Sequence, residues 1–367
     1  MVPNLLTVII TTSVTPSIPN TDLVSEILDG FSNHCSLLLD CRVIVVFDNY
    51  DQVTSRARLK KGQVTPQQAD DWDLYKSNVK QLVLEKFHGT SVGLEFTTEN
   101  GEAEYGSHHT GTNAVAVVTT STQDKKVTFI EPSRRLGFGL AVRSALRVVQ
   151  TPYVWIQQHD WGLIADIPVE SILEVMQESQ TDVKAPVKYV CFSAIRMLSY
   201  ATSGDVEHFP TLKALTSELK REFLPTQVCG DKVPLTPMFF WHDKPHIAST
   251  EHYLARVFPS RLAMLRGDFI EDKIGQRARA QMKEGLWSKW ATWLYYPDQG
   301  RQLCLRHLQG RIWRGKDAQA KQIAIFRDLN LKRMQERDSL KTELADAADN
   351  ASDNDDHDDD GVLGGLF

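Results

Sequence analysis

An α/β fold, with helices flanking a mixed, mainly parallel sheet, is what this sequence predicts, and three observations predict it. Short β-branched or apolar runs, LLTVII (5–10), CRVIVVFDNYD (41–51), VTFIEP (127–132) and YVWIQ (153–157), alternate with segments whose apolar residues recur at helical spacing. The alternation gives βαβ units, which build parallel sheets. Two of the runs turn abruptly polar, at Asp48 and again at Gln157, Gln158, His159 and Asp160, as strands do at the carboxyl edge where open α/β folds hold ligands.

The elements follow in order. LLTVII is the first strand, and TPSIPNTD carries the Pro, Asn and Asp signals of a loop that ends by capping the helix TDLVSEILDGF, with Leu23, Ile27 and Phe31 at helical spacing. CRVIVVFDNYD is the second strand. Residues 52–126 are less regular and read as an insertion: basic RARLKKGQ, a helix from about Pro66 to Phe87, a Gly/Thr/Ser/His-rich run in which His108 and His109 read as a solvated loop, and a strand at AVAVV. VTFIEP resumes the sheet, LGFGLAVRSALRVVQ supplies a helix with Leu140, Leu146 and Val149 near one face, and YVWIQ completes the clearest βαβ unit.

A helix starting near Pro168, the strand KYVCFSAI and a helix over 212–223 lead into CGDKVPLTPMFFWHDKPHIAST, which reads as a Pro-punctuated aromatic loop. HYLARVF, the loop around GDFIED, the helix KIGQRARAQMKEG and the segments WATWLYYPDQG and LCLRHLQGR close a single domain over 1–315. A polar helix over 316–345 and an acidic tail over 346–367 are expected after it, with no internal repeat.

Composition narrows the class. The chain of 367 residues is 42% hydrophobic, ample for a large core. Its net charge of −6 comes from the end: ELADAADNASDNDDHDDDGVLGGLF holds nine acids and no lysine or arginine, which leaves the body at about +3. Such a tail cannot bury enough apolar surface to order itself. A nearly balanced body gives no sign of a nucleic-acid partner. No window approaches the roughly 20 apolar residues of a spanning helix, and the amino terminus lacks the features of a secretory leader. Cys35, Cys41, Cys191, Cys229 and Cys304 are scattered and never paired as CxxC, which fits a reducing compartment. A soluble, cytoplasmic protein without a transmembrane segment is the expectation.

Several residues carry chemistry, each with a structural alternative. Asp48 can accept from a base or a ribose hydroxyl, or simply make a turn. In EPSRRLGFGLAVRSAL, Gly137 and Gly139 allow close backbone approach, and Arg134, Arg135 and Arg143 can meet phosphate charge; the GxGxxG and GK[ST] phosphate loops are both absent. His159 and Asp160 can take Mn²⁺ or Mg²⁺, or satisfy a turn. Glu271 and Asp272 precede a helix, so Asp272 either caps it or takes a proton from a hydroxyl. His307 is either structural or a ligand that gains meaning from a partner such as Asp160. Trp241, beside His242 and Asp243, has a claim to line a pocket where a sugar face stacks on it, whereas Trp287, Trp290 and Trp293 read as core.

Taken in order, the strand ending in Asp48, the glycine helix with arginine, the strand ending in His159 and Asp160, then Glu271 and Asp272, then His307, resemble the glycosyltransferase family 2-like proteins of the GT-A fold. The resemblance covers about residues 5–315. It implies a Rossmann-like GT-A domain in which Asp48, Gly137, Gly139 and Arg143 meet a nucleotide-diphosphate sugar; Gln158, at the place of the first D-x-D acid, and Trp241, by residue type, are expected beside it. It further implies that Asp160 and His307 hold the divalent metal, to which the residue reading adds His159, and that Asp272, with Glu271 beside it, is the base.

The implied reaction is inverting transfer of one sugar to an acceptor hydroxyl on a glycan, protein or small molecule. Two departures stand out: Gln158 replaces the first acid of D-x-D, and Ser144 replaces the Asn after Arg143. The Q-x-x-R-W pattern and membrane helices of processive synthases are missing, in keeping with single transfer. Two other readings stay open, a silent nucleotide-sugar-binding or interaction protein and a sugar nucleotidyltransferase, although ITTSVTPSIPN lacks the glycine and base that a triphosphate loop needs.

Overall fold

A computed structural model describes residues 2–107, 113–226, 232–321, 324, 325, 327–329 and 332. The chain divides into two units, Met1–Trp313 and Arg314–Phe367. In the second, the described residues from 316 onward are helical. The predicted tail over 346–367, His108, His109 and Cys229 lie outside the described residues. Among those described, no helix is long and apolar enough to cross a membrane.

Among the described residues, the first unit is built on a sheet of eleven strands. In chain order they are β1 (Leu6–Ser13), β2 (Arg42–Asp48), β3 (Phe96–Glu104), β4 (Ala114–Thr122), β5 (Val127–Pro132) and β6 (Tyr153–Gln158). The short strands β7 (Tyr189–Cys191), β8 (Arg221–Phe223), β9 (Val233–Pro237), β10 (His246–Ser249) and β11 (Thr292–Tyr295) follow. Across the sheet they run β8, β9, β11, β7, β10, β6, β1, β2, β5, β4, β3.

The middle, β6, β1, β2 and β5, is parallel, with Ile9 opposite Ile44 on one side and Ile156 on the other. β7 and β11 form a further parallel pair, and the remaining pairs on both flanks are antiparallel. The parallel strands are buried along their apolar runs VIVVF and YVWI, with Arg42 exposed at the start of β2 and Ser13, Glu131 and Gln158 half-buried near the strand ends. Helix Asp22–His34 sets Phe31 edge-on to Trp155, with ring centroids 6.2 Å apart, and helix Pro66–His88 brings Trp72 to Phe47 at 6.3 Å. That second helix begins where Thr65 and Gln68 cap each other's backbone, with Pro66 at its first position, and it ends at Gly89 with φ of 75°.

The path of the chain places the site. From β1 it passes to β2 and outward to β5, then returns to β6 on the other side of β1. The crevice between β1 and β6, at their carboxyl ends, is therefore the topological switch point, where open α/β sheets bind ligands.

Elsewhere three expectations change. The helix predicted over 212–223 spans Pro210–Leu219, and Arg221–Phe223 leaves it, ahead of Pro225, to pair with β9. The Pro-punctuated segment contains β9 and β10. Pro234 lacks a donor, yet its carbonyl accepts the Tyr296 N–H at 2.9 Å, so the strand forms around it. The AVAVV strand runs on to Thr122 and forms a hairpin with β3 that extends the sheet past β5.

Candidate active site

A cavity of about 470 Å³ opens at the carboxyl ends of the middle strands, floored by Thr11 to Ser13 of β1, Asp48 of β2 and Gln158 of β6. The segment 59–64 forms one wall, and His307, Gln309, Arg311 and Ile312 form another. Phe138 and Phe269, stacked with centroids 6.2 Å apart, add an apolar side.

A second, two-stranded sheet shapes the rim. Trp161–Leu163 pairs antiparallel with Leu305–His307, opposing His307 to Trp161, and the two rings stack 4.5 Å apart. This register brings His307 Nε2 to 3.2 Å from Asp160 Oδ2, which also accepts the Gly310 N–H at 3.2 Å. Burial alone raises the Asp160 carboxyl, but the hydrogen bond from His307, the nearby imidazoles and the Gly310 N–H outweigh it and hold the group below its ordinary value. Asp160 Oδ1 is buried and has no hydrogen-bond partner among the described residues.

His159, expected as a metal ligand, is differently occupied. Its Nδ1 takes the Ser13 N–H at 3.2 Å and lies 2.8 Å from the Thr12 hydroxyl, which in turn meets the Tyr75 hydroxyl at 2.7 Å. A nitrogen that accepts from a backbone N–H carries no proton, so the network assigns the ring proton to Nε2. Burial, only partly offset by Asp160, lowers the pKa and keeps the ring neutral. One nitrogen is thus engaged and the other protonated, and His159 is corrected from metal ligand to neutral donor.

The donor set for a cation is accordingly Asp160 and His307. Among the described residues no three His, Cys, Asp or Glu side chains gather as a metal cluster. The unpartnered Asp160 Oδ1 is nevertheless a hard oxygen of the kind that Mg²⁺ and Mn²⁺ accept, and such ions usually draw the rest of their shell from water and ligand phosphate.

The glycine turn also works differently from the expectation. Asp48 Oδ1 accepts the Leu136 N–H at 2.6 Å, and both its oxygens lie 3.1 Å from the Gly137 nitrogen, so the carboxylate closes the start of helix Phe138–Leu146. Burial pushes its pKa up to about 6 despite these hydrogen bonds. Gly137, with φ of 83° and ψ of 160°, takes a conformation that essentially only glycine adopts, and a Cβ there would stand 2.4 Å from Gly267 Cα. A Cβ on Gly139 would stand 2.8 Å from Met264 Cγ. Both glycines admit the 264–268 loop. Arg143 is buried and turned away from the cavity, donating to the Glu104 carbonyl at 3.1 Å, because its position on the helix faces the β3–β4 hairpin.

Trp241 is likewise corrected: it is 0% exposed, enclosed by Tyr189 at 4.5 Å and Tyr253 at 5.1 Å, and offers no face to a sugar. Gln158 does border the cavity, and its amide donates to the Asp243 carbonyl at 2.8 Å. The Glu271 N–H donates to Asp243 Oδ1 at 3.1 Å, the Asp243 N–H donates to Glu271 Oε2 at 3.2 Å, and Glu271 Oε1 lies 3.3 Å from His242 Nδ1. Burial raises its carboxyl, but the hydrogen bond from His242, the Lys244 charge and the Asp243 N–H bring it down to about 2, while burial holds the His242 ring itself below its ordinary value. Asp272 is exposed in a helix already under way at Ile270, so it does not cap that helix, and neither acid borders the cavity.

Lys60, Arg135 and Arg311 line the cavity against two carboxylates, Asp48 and Asp160. Among the described residues none of these three bases has a carboxylate partner, whereas nearby Arg266 pairs with Asp51 at 3.1 Å and Arg306 with Glu26 at 2.9 Å. Arg135 was legible beside the glycines; Lys60 lies in a segment without periodicity.

Fold and site together define a mixed α/β protein with a net-basic crevice at its switch point. No family model matches the chain, and no curated protein matches it. The chain is similar to solved glycosyltransferases of the GT-A type. Mannosyltransferase PcManGT from Pyrobaculum calidifontis, in complex with GDP-Man and Mn²⁺, is 12% identical with a TM-score of 0.35, over 81% of this chain and 58% of that one. S. aureus TarS 1-349 is 9% identical with a TM-score of 0.36, over 82% and 59%. Glucosyl-3-phosphoglycerate synthase from Mycobacterium tuberculosis, in complex with phosphoglyceric acid, is 12% identical with a TM-score of 0.34, over 83% and 72%. The chain thus spans less than two thirds of the first two. These are likenesses of chain course at low identity.

Proposed function

We propose that the protein transfers one sugar from a nucleotide-diphosphate sugar to an acceptor hydroxyl. The observation that supports this reading best is the meeting of Asp160 and His307, 147 residues apart, at 3.2 Å on the rim of the switch-point cavity. These two residues would hold a Mn²⁺ or Mg²⁺ ion, which supplies positive charge for a departing diphosphate. His159 donates from Nε2, and Gln158 positions the donor against the Asp243 loop. Asp272 is the base for an acceptor that arrives past Phe269, and the transfer inverts the anomeric carbon. Glu271, its carboxyl held down at about 2, is a weak base and positions the 241–244 loop. The scattered, buried free cysteines fit a reducing compartment such as the cytoplasm.

One observation favours a second reading, binding without turnover: neither Glu271 nor Asp272 borders the cavity. Incubation with a panel of nucleotide sugars, with and without Mn²⁺, separates the two by nucleoside diphosphate released in the presence of candidate acceptors. Release by the wild type and none by Asp272→Asn, with nucleotide binding intact in both, is the expected result. Equal turnover by Asp272→Asn removes it from the role of base; binding with no release on any acceptor supports the silent reading.

A further inference from the structure

The glycine turn before helix Phe138–Leu146 has the form of a phosphate entrance, but its donors are taken. Asp48 occupies the Leu136 and Gly137 N–H groups at 2.6 and 3.1 Å, and a carboxylate in that place repels a second anion. Phosphate charge in this cavity must be met elsewhere, and three bases line it that have no carboxylate within ion-pair distance among the described residues, although the Arg135 charge reaches Asp48. Arg135 is held in a built slot: a Cβ on Gly62 would stand 2.8 Å from its Cδ, and a Cβ on Gly267 would stand 3.1 Å from its Nη1. Both glycines have positive φ, 68° and 87°, so the backbone on either side is shaped to leave room for this side chain. Arg311 lies with its guanidinium 5.2 Å from the centre of the Phe269 ring, a contact that orients the planar group. Lys60 completes the set from the 59–64 wall.

We propose that Lys60, Arg135 and Arg311 are the diphosphate-binding residues of the cavity, and that they carry enough of the anion's charge for a nucleoside diphosphate to bind without a divalent ion. The proposal rests on the nucleotide-sugar reading. Planar guanidinium groups meet phosphate oxygens in pairs of hydrogen bonds, and Lys60 adds a mobile point charge. Because Lys60 and Arg311 are solvent-exposed, their attraction is screened by salt, and affinity falls as ionic strength rises.

The test is calorimetric titration of the whole chain with UDP, GDP, ADP, CDP and inorganic pyrophosphate, in Mn²⁺ and in EDTA. The variants are Lys60→Ala, Arg311→Ala and Arg135→Gln, each checked for an unchanged unfolding midpoint, with Arg135→Lys as the conservative variant. At least one nucleoside diphosphate is expected to bind in EDTA within about threefold of its affinity in Mn²⁺. Each base removed should weaken it about tenfold, as for the loss of a charge-assisted hydrogen bond, with partial recovery in Arg135→Lys. Binding that disappears in EDTA, or is unmoved by all three variants, overturns the assignment and leaves the nucleotide-sugar reading standing. Failure of every nucleoside diphosphate to bind, with Mn²⁺ as well as without, overturns both.

Discussion

His307 Nε2 stands 3.2 Å from Asp160 Oδ2, although 147 positions separate the two residues. The contact is made by the register of the small sheet, in which His307 opposes Trp161. If this pair holds a divalent ion, His307→Ala lowers Mn²⁺ affinity of the nucleotide-loaded protein by at least about tenfold. Electron paramagnetic resonance of free Mn²⁺ measures it. Because His307 is exposed, the unfolding midpoint stays within experimental scatter; unchanged Mn²⁺ affinity counts against the pair.

Gly137→Ala tests the turn. The substitution puts a Cβ against backbone, 2.4 Å from Gly267 Cα, at a φ of 83°. Strain and overpacking together cost about 2–4 kcal/mol. Urea unfolding should show a lower midpoint with an unchanged slope. A variant as stable as the wild type contradicts the close approach.

Asp48 gives a pH signature. Its carboxyl rises from 3.8 to about 6 on folding, chiefly through burial. Between those values the folded chain keeps a proton that the unfolded chain has released, so this residue's contribution to stability falls as pH rises across the window and is level above it. The difference in stability between wild type and Asp48→Asn, measured by urea unfolding at a series of pH values, isolates the component. A difference that does not vary with pH contradicts it.

Trp241 separates core from pocket. Trp241→Ala removes a fully buried ring and should cost about 3–5 kcal/mol. Trp241→Phe should recover much of that stability and bind nucleoside diphosphate as the wild type does. A stable Trp241→Phe protein with lost affinity restores Trp241 to the site.

The middle of the sheet was legible because its strands are apolar on both faces, so VIVVF and YVWI announce themselves, and the polar residues that stop them fall on the ligand edge. Asp48, Gln158 and Asp160 were found for that reason. Side-chain direction was not legible. Arg143 follows two glycines, yet its place on the helix turns it to Glu104, and nothing in the local pattern separates a pocket tryptophan from the buried Trp241. Strands β9 and β10 were hidden by prolines whose carbonyls still join the sheet. Lys60 and Gly62 reach the cavity through a segment that carries no period at all.

The central claim is that the switch-point cavity holds a nucleotide-diphosphate sugar. A crystal structure of the protein soaked with such a donor and Mn²⁺ tests it most directly. Diphosphate density between Arg135, Arg311 and the Asp160–His307 pair is the expected result; a donor bound outside this cavity rules the nucleotide-sugar reading out.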